Sequence, residues 1–445
     1  MTAKGMEGGE AASWRRRVWH LAWPMILSNM SMTALGVVDT AVMGRLPDAA
    51  YIGAVAVGAT IIGFIYWGLA FLRMGTTGLS AQAFGTGAAD EVRATLARAL
   101  LLALALGIAI IILKVPIALL AFGVIEASNA VIELARVYFD IRLWAMPASL
   151  INMVVLGWLI GVQRTRAALV VQLGFNLVNV ALAILFVIGL GWGVEGAASA
   201  TLIAEWSGVA MSAAAIWSAL RTVGGRLDPA RIFDRQRLIA VAHINANVFV
   251  RSLLVVATMA YFTVVGARFG DATLAANAML AAVNSFLGQA LDGFSFAAEA
   301  LVGSAIGARD RQQLRSAVRA TFFVAGALAL AFTLGYAILG AAVIGMLTDL
   351  PDVRHQAIIY LPWAAVTPIV LVWGFLLDGV FNGATHTREM RNAMIISAAG
   401  YIGGIQLLVP LWGNHGLWAA FILFSLLRIV TLGAWYPRIP QSIAA

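Results

Sequence analysis

Residues 18–44 read VWHLAWPMILSNMSMTALGVVDTAVMG, an apolar run long enough to cross a bilayer that carries one carboxylate, Asp39, and one proline, Pro24. A charged side chain at the bilayer centre costs about 2.5–3.5 kcal/mol on insertion scales, so an acid in such a run faces a protein interior or a water-filled cavity. At about 100° per residue, Met25, Met32, Gly36, Asp39 and Met43 share one helical face. Pro24 has no N–H for the helix ladder, and a bend is expected there. The stretch therefore combines a hinge, a titratable group and a soft apolar wall. It reads as a proton or cation site in a transport cavity, the plainer alternative being an acid paired with a neighbouring helix.

The rest of the composition agrees with a membrane protein. Of 445 residues, 62% are hydrophobic and 11% charged, with a mean hydropathy of +0.90, which excludes an ordinary soluble domain. The net charge of +8 could suggest a nucleic-acid partner, but the arginines fall in short connections between apolar runs and read as topology signals. No nucleic-acid partner is expected. The absence of cysteine excludes disulfides and thiolate metal sites.

Hydropathy predicts twelve helical spans, at 18–44, 50–74, 95–123, 132–162, 167–189, 194–219, 238–266, 273–305, 316–346, 357–383, 390–411 and 415–435. Arginines gather on alternate connections, among them Arg15, Arg16 and Arg17, then Arg164 and Arg166, Arg221 to Arg237, Arg309 to Arg319, Arg388 and Arg391, and Arg428 and Arg438. The opposite loops hold little beyond Arg45, Arg268 and Arg354, so both termini are expected in the cytoplasm. The polar connection 220–237 divides the chain into lobes 18–219 and 238–435, flanked by tails 1–17 and 436–445. A shift of 222 residues superposes the halves: Gly44 on Gly266, Phe64 on Phe286, Gly157 on Gly379, Gly161 on Gly383 and Arg166 on Arg388. Six spans per half give a parallel repeat, an architecture that places a transport site between halves near the midplane. The expected fold is all-α and integral to the membrane, with twelve helices in two six-helix bundles. The shift aligns Asp39 with Tyr261, so the acid has no twin.

Other polar groups lie inside spans. Asn176 and Asn179 share a face of the fifth, able to hold water, orient a carboxylate or bridge helices. The eighth carries Asn277, Asn284, Asp292, Ser295 and Glu299 within roughly 80° of one face. Arg251 in the seventh is expected to pair with Asp292 or Glu299, because an isolated buried charge is not tolerated. Asp378 in the tenth is a further candidate for this second-lobe polar network, with partial solvation expected from its place near a loop. Met32 and Met43, with Met279 and Phe286 in the eighth span, suit a cavity that accepts varied apolar shapes. Its carboxylate would favour amphipathic cations.

Enzyme signatures are missing: there is no Gly-Lys-Ser/Thr phosphate loop, no His-Glu-x-x-His and no Gly-x-Ser-x-Gly. Without an ATP site, uphill transport would draw on an ion gradient.

The runs WPMILSNMSMTALGVVDTAVMGRL (23–46), RSLLVVATMAYFTVVGARFGDATLAANAMLAAVNSFLGQALDGFSFAAEALVGSAIGARDR (251–311) and GWGVEGAASATLIAEW (191–206) resemble the multidrug and toxic compound extrusion (MATE) family, and within it the bacterial DinF-like branch. The resemblance implies two six-helix bundles in a V, efflux by cation antiport, and residence in the bacterial inner membrane. It sets Pro24 and Asp39 on the family's first-helix proline and acid, and Asn176 and Asn179 on its fifth-helix polar motif. Many relatives carry an aspartate four residues after the second asparagine, where this chain has Ala183. That departure favours the proton gradient over sodium, with Asp39 as the coupling acid. The expected cavity comprises Met32, Gly36, Asp39, Met43, Asn176, Asn179, Met279, Asn284 and Phe286, with no metal, no cofactor and a monomeric protein. The rival readings are sodium-coupled efflux and a flippase for lipid-linked saccharides; an enzyme acting on lipid intermediates would need clustered acids or histidines.

Overall fold

A computed structural model describes residues 3–46 and 49–443; the outermost residues of both expected tails, 1–2 and 444–445, lie outside the described residues. Every regular element among the described residues is helical. The helices are α1 (Ala3–Met43), α2 (Ala49–Gly68), α3 (Phe71–Gly85), α4 (Ala89–Ile112), α5 (Lys114–Val124), α6 (Asn129–Leu143), α7 (Met146–Gly161), α8 (Thr165–Ala183) and α9 (Gly193–Val223). They continue with α10 (Pro229–Ile232), α11 (Arg235–Gly266), α12 (Asp271–Gly307), α13 (Arg311–Leu347), α14 (Pro351–Gly383), α15 (Thr387–Trp412), α16 (Asn414–Trp435) and α17 (Arg438–Ser442). A π-helical turn, Ile184–Gly189, prolongs α8.

Among the described residues, eleven helices are long and apolar enough to cross a membrane, and a twelfth span results if α6 and α7, bent by 52° at their junction, count as one. Prolines explain the departures from straight spans. The Pro147 ring would clash with the carbonyl of Leu143, where α6 ends, and Pro116 with that of Ile112, where α4 ends. The expected span 95–123 is therefore a crossing helix followed by the short apolar α5. At the start of the chain, helix runs unbroken from the expected tail into the first span and passes through Pro24.

Two compact units emerge. The C-terminal unit holds Met1–Ile26 and His243–Ala445; the N-terminal unit holds Leu27–Ala242. Val18, Leu21 and Ala22 share a core with Leu291, Phe294, Leu301 and Leu376, and the Trp19 ring lies 6.0 Å from that of Phe294. The polar connection 220–237 is moored to the N-terminal unit. Arg93 donates to the carbonyls of Gly224 (2.5 Å) and Leu220 (3.1 Å), Asp90 accepts from the Arg226 N–H at 2.7 Å, and Arg237 pairs with Glu91.

Packing repeats between the units as the sequences do. In the N-terminal unit α3 and α4 pack on α7, and α8 on α9; in the C-terminal unit α12 and α13 pack on α14, and α15 on α16. Each unit closes at a Gly-x-x-x-Gly pair, where absent side chains let backbones touch. A Cβ on Gly157 would fall 2.5 Å from the Arg73 carbonyl oxygen, and one on Gly161 2.8 Å from that of Thr77. Shifted by 222 residues, Gly379 meets the Ser295 oxygen and Gly383 the Glu299 oxygen, the latter at 2.5 Å. A backbone oxygen cannot rotate aside, so Gly157→Leu or Gly379→Leu should cost at least the upper part of the roughly 1–3 kcal/mol typical of overpacking. The expected result is a lower melting temperature and folded yield in detergent, and unchanged melting would remove these glycines from the account of the fold.

Candidate functional site

The N-terminal unit contains a cavity of about 260 Å³ lined from α1, α2, α6, α7, α8 and α9. Helix phase decides which residues of α1 reach it. Relative to Met32, Asp39 lies about 20° to one side and Leu35 about 60° to the same side, whereas Gly36 and Met43 turn to the other. Met32, Leu35 and Asp39 line the cavity. Met43 is buried in the core of the unit, and Gly36 faces open space with nothing within 4 Å of a Cβ built on it.

Asn176 and Asn179 of α8 line the same cavity as Asp39. Asn176 donates to Ser31 Oγ of α1 at 2.9 Å, bridging the two helices, and its oxygen accepts a long bond from Gln172 at 3.4 Å. Asn179 is 2% exposed, yet its Oδ1 has no hydrogen-bond partner among the described residues. A buried acceptor left open in a polar cavity is a ready place for water or a donor group.

Two charged residues complete the site. Glu205 of α9 lines the cavity opposite an amide clamp: Asn152 Nδ2 donates to the Glu205 carbonyl oxygen at 2.8 Å and to Oε2 at 3.0 Å. The Asn152 oxygen in turn accepts from Ser212 at 3.1 Å. Gly208, one turn beyond Glu205, leaves room for this clamp, since its Cβ would sit 2.7 Å from Asn152 Nδ2. Arg142 of α6 lies within electrostatic reach of both Asp39 and Glu205, with its Nε and Nη1 buried and lacking hydrogen-bond partners among the described residues. Ala183 is buried and lines no part of the cavity, so its second carboxylate arrives from α9. Glu205 and Arg142 escaped the sequence reading, although the rule that singled out Asp39, a charge inside an apolar span, applies to both.

The wall is mixed. Tyr66, Tyr138, Phe175, Met146 and Met153 surround the polar groups and offer an apolar, polarizable surface. The equivalent place in the C-terminal unit carries aromatic rings instead of an acid and an amide. Tyr261 and Tyr401, which the 222-residue shift superposes on Asp39 and Asn179, meet edge to face at 6.4 Å, and Tyr401 also packs on Phe424.

The remaining expected residues lie in the C-terminal unit. Met279 packs against its core, Phe286 is 42% exposed and Asn284 is buried with neither amide atom bonded among the described residues. Pro24 is buried inside α1. Arg251 forms an ion pair with Asp378, which also pairs with Arg428, while Asp292 and Glu299 stand within electrostatic reach of Arg251. Asp378 is buried rather than partly solvated, and Arg428, counted above among the loop arginines, is 7% exposed inside the unit.

Comparisons with known proteins follow the same outline. The profile of the MatE family matches twice, over residues 24–185 and 248–407, so each half of the repeat carries a copy. DNA damage-inducible protein F of Escherichia coli (strain K12) is 42% identical over 95% of this chain and 92% of its own length. A probable multidrug resistance protein NorM of Rhodopseudomonas palustris is 26% identical over 89% of the chain and 85% of its own. A crystal structure titled MATE in the straight conformation superposes with a TM-score of 0.87 at 20% identity, covering 97% of both chains, and shares the fold.

Proposed function

Because this chain belongs to the MatE family of multidrug efflux transporters, multi-pass membrane proteins and not enzymes, we propose that it exports amphipathic cations in exchange for protons by alternating access. The observation that carries the reading is the charge of the N-terminal cavity. Among the residues that line it, Asp39 and Glu205 face one arginine, Arg142, so the ionised lining sums to one negative charge among aromatic and methionine side chains, while Arg73 acts on Tyr66 from outside the lining. One monovalent cation neutralises it, and so does one proton. Both together leave an excess positive charge in a poorly solvated space, which is costly. Substrate and proton therefore exclude each other, and exclusion combined with alternating access is exchange.

Asp39 takes the exchangeable proton in this scheme, since Glu205 is already held by Asn152. Pro24 gives α1 a position able to bend as the state of Asp39 changes. The protein works as a monomer in the bacterial inner membrane with both termini in the cytoplasm, as the arginine-rich connections direct. A net negative cavity disfavours the diphosphate of a lipid-linked saccharide, which calls for basic groups.

The test is counterflow of a fluorescent organic cation in proteoliposomes under an imposed proton or sodium gradient. Acceleration by the proton gradient alone is expected; acceleration by sodium alone would replace the coupling ion, and no counterflow of any cation would end the proposal. Glu205→Gln removes the net negative charge while keeping a side chain that Asn152 can bond. Its expected effect is roughly tenfold weaker apparent affinity for a cationic dye, as for the loss of one partly desolvated attraction. Neutral substrates should be little affected.

A further inference from the structure

We propose that the C-terminal unit binds the headgroup of an anionic phospholipid between α1 and the first turns of α13, with Arg15, Arg311, Arg315 and Arg319 as its ligands. A concave opening of about 830 Å³ is lined by Trp14 and Arg15 from α1 and by Arg311, Arg315, Arg319 and Phe323 from α13. Spacings of four residues align the three α13 arginines along one helical face, where like charges repel unless a counter-anion lies among them. Among the residues whose side chains are described, which on α1 begin at Ala11, no aspartate or glutamate lines the opening. Asp310, at the start of α13, accepts from the N–H groups of Gln312 and Gln313 at 2.9 Å and is committed to capping that helix.

Two of the four basic groups are held in place. The Arg15 guanidinium lies 3.8 Å from the Phe323 ring centroid, and Arg311 Nε donates to the Pro440 carbonyl at 3.1 Å. Arginine forks match phosphate oxygens in pairs, and basic pockets between transmembrane helices take phospholipid headgroups. A lipid is favoured over a soluble phosphate by what adjoins the arginines. Trp14, Ala320 and the 55% exposed Phe323 continue the opening into the apolar part of α13, where an acyl chain can lie. The membrane leaflet is the one that the arginine-rich connections face.

The experiment is native mass spectrometry of the purified full-length chain titrated with dioleoylphosphatidylglycerol, dioleoylphosphatidylcholine or inorganic pyrophosphate. Preferential retention of phosphatidylglycerol is expected, reduced about tenfold by the double variant Arg315→Gln/Arg319→Gln. A control, Arg226→Gln/Arg231→Gln in the exposed connection before α11, should retain lipid as the wild type does. Arg15→Gln, a single change on the exposed face of α1, gives a second reading should the double variant fail to fold, and is expected to weaken retention in the same direction. Equal retention of both phospholipids, equal loss in the control, or displacement of lipid by matched pyrophosphate would overturn the proposal.

Discussion

Asp39→Asn abolishes export of a cationic dye driven by a proton gradient in proteoliposomes, while the variant reaches the membrane at wild-type levels and melts at the wild-type temperature. The two halves of this expectation have separate causes. Asparagine has the shape of the acid and keeps an acceptor, and Asp39 is only partly buried, so the helix keeps its packing. Electrostatically, the cavity falls from one net negative charge to none, because Glu205 and Arg142 then balance. The attraction for a cation weakens, as it does in Glu205→Gln, and in addition the exchangeable proton has lost its place, so exchange stops. Dye flux should match that of empty vesicles at every imposed gradient. Gradient-driven transport at the wild-type rate would show that the proton is carried elsewhere, with Glu205 the first residue to examine.

The second large effect concerns stability. Asp378→Asn should leave little folded protein, because Asp378 is 4% exposed and pairs with both Arg251 and Arg428. Those guanidiniums lie within electrostatic reach of each other, and removing the acid leaves two positive charges in a buried space with one carboxylate fewer to balance them, Asp292 being within reach of both. Breaking a buried pair from one side costs about 3–5 kcal/mol. The stability of a folded protein is of order 5–15 kcal/mol, so the loss consumes much of it. Membrane yield and the melting temperature in detergent read the effect. Pairing the change with Arg428→Met, which removes one stranded charge, should recover part of it, as apolar replacements of buried ion pairs commonly do. A single variant that melts with the wild type would show that Asp292 and Glu299 suffice for both arginines. The two aspartates thus separate a transport role from a packing role by the same substitution.

Much of this arrangement is legible along the chain. Span number, the helical class and the repeat follow from hydropathy, the arginine spacing and the 222-residue shift, because insertion into lipid depends on local composition summed over about twenty residues. Asp39 stands out for the same reason: one charge in an apolar run can be recognised without knowing its neighbours. The glycines superposed by the shift, Gly157 on Gly379 and Gly161 on Gly383, turn out to mark close helix crossings in each unit, where a Cβ would meet a backbone oxygen.

Partnership between distant helices was not legible. Arg251 had two expected partners in the sequence, Asp292 and Glu299, which do stand within its electrostatic reach, and the fold adds an ion pair with Asp378, which lies 127 residues away and also holds Arg428. Glu205 and Arg142 meet Asp39 only because α6 and α9 pack together with α1 around one cavity. Gly36 and Met43 share a broad helical face with Asp39 but fall outside the cavity by a few tens of degrees of phase. The opening of α1 joined the core of Leu291 and Phe294, a choice that its own residues do not display. Lipid tails are as apolar as leucine, so insertion selects which segments become helices without selecting which helices become neighbours. That selection rests on close packing at small residues and on buried polar pairs, and both are properties of two surfaces at once.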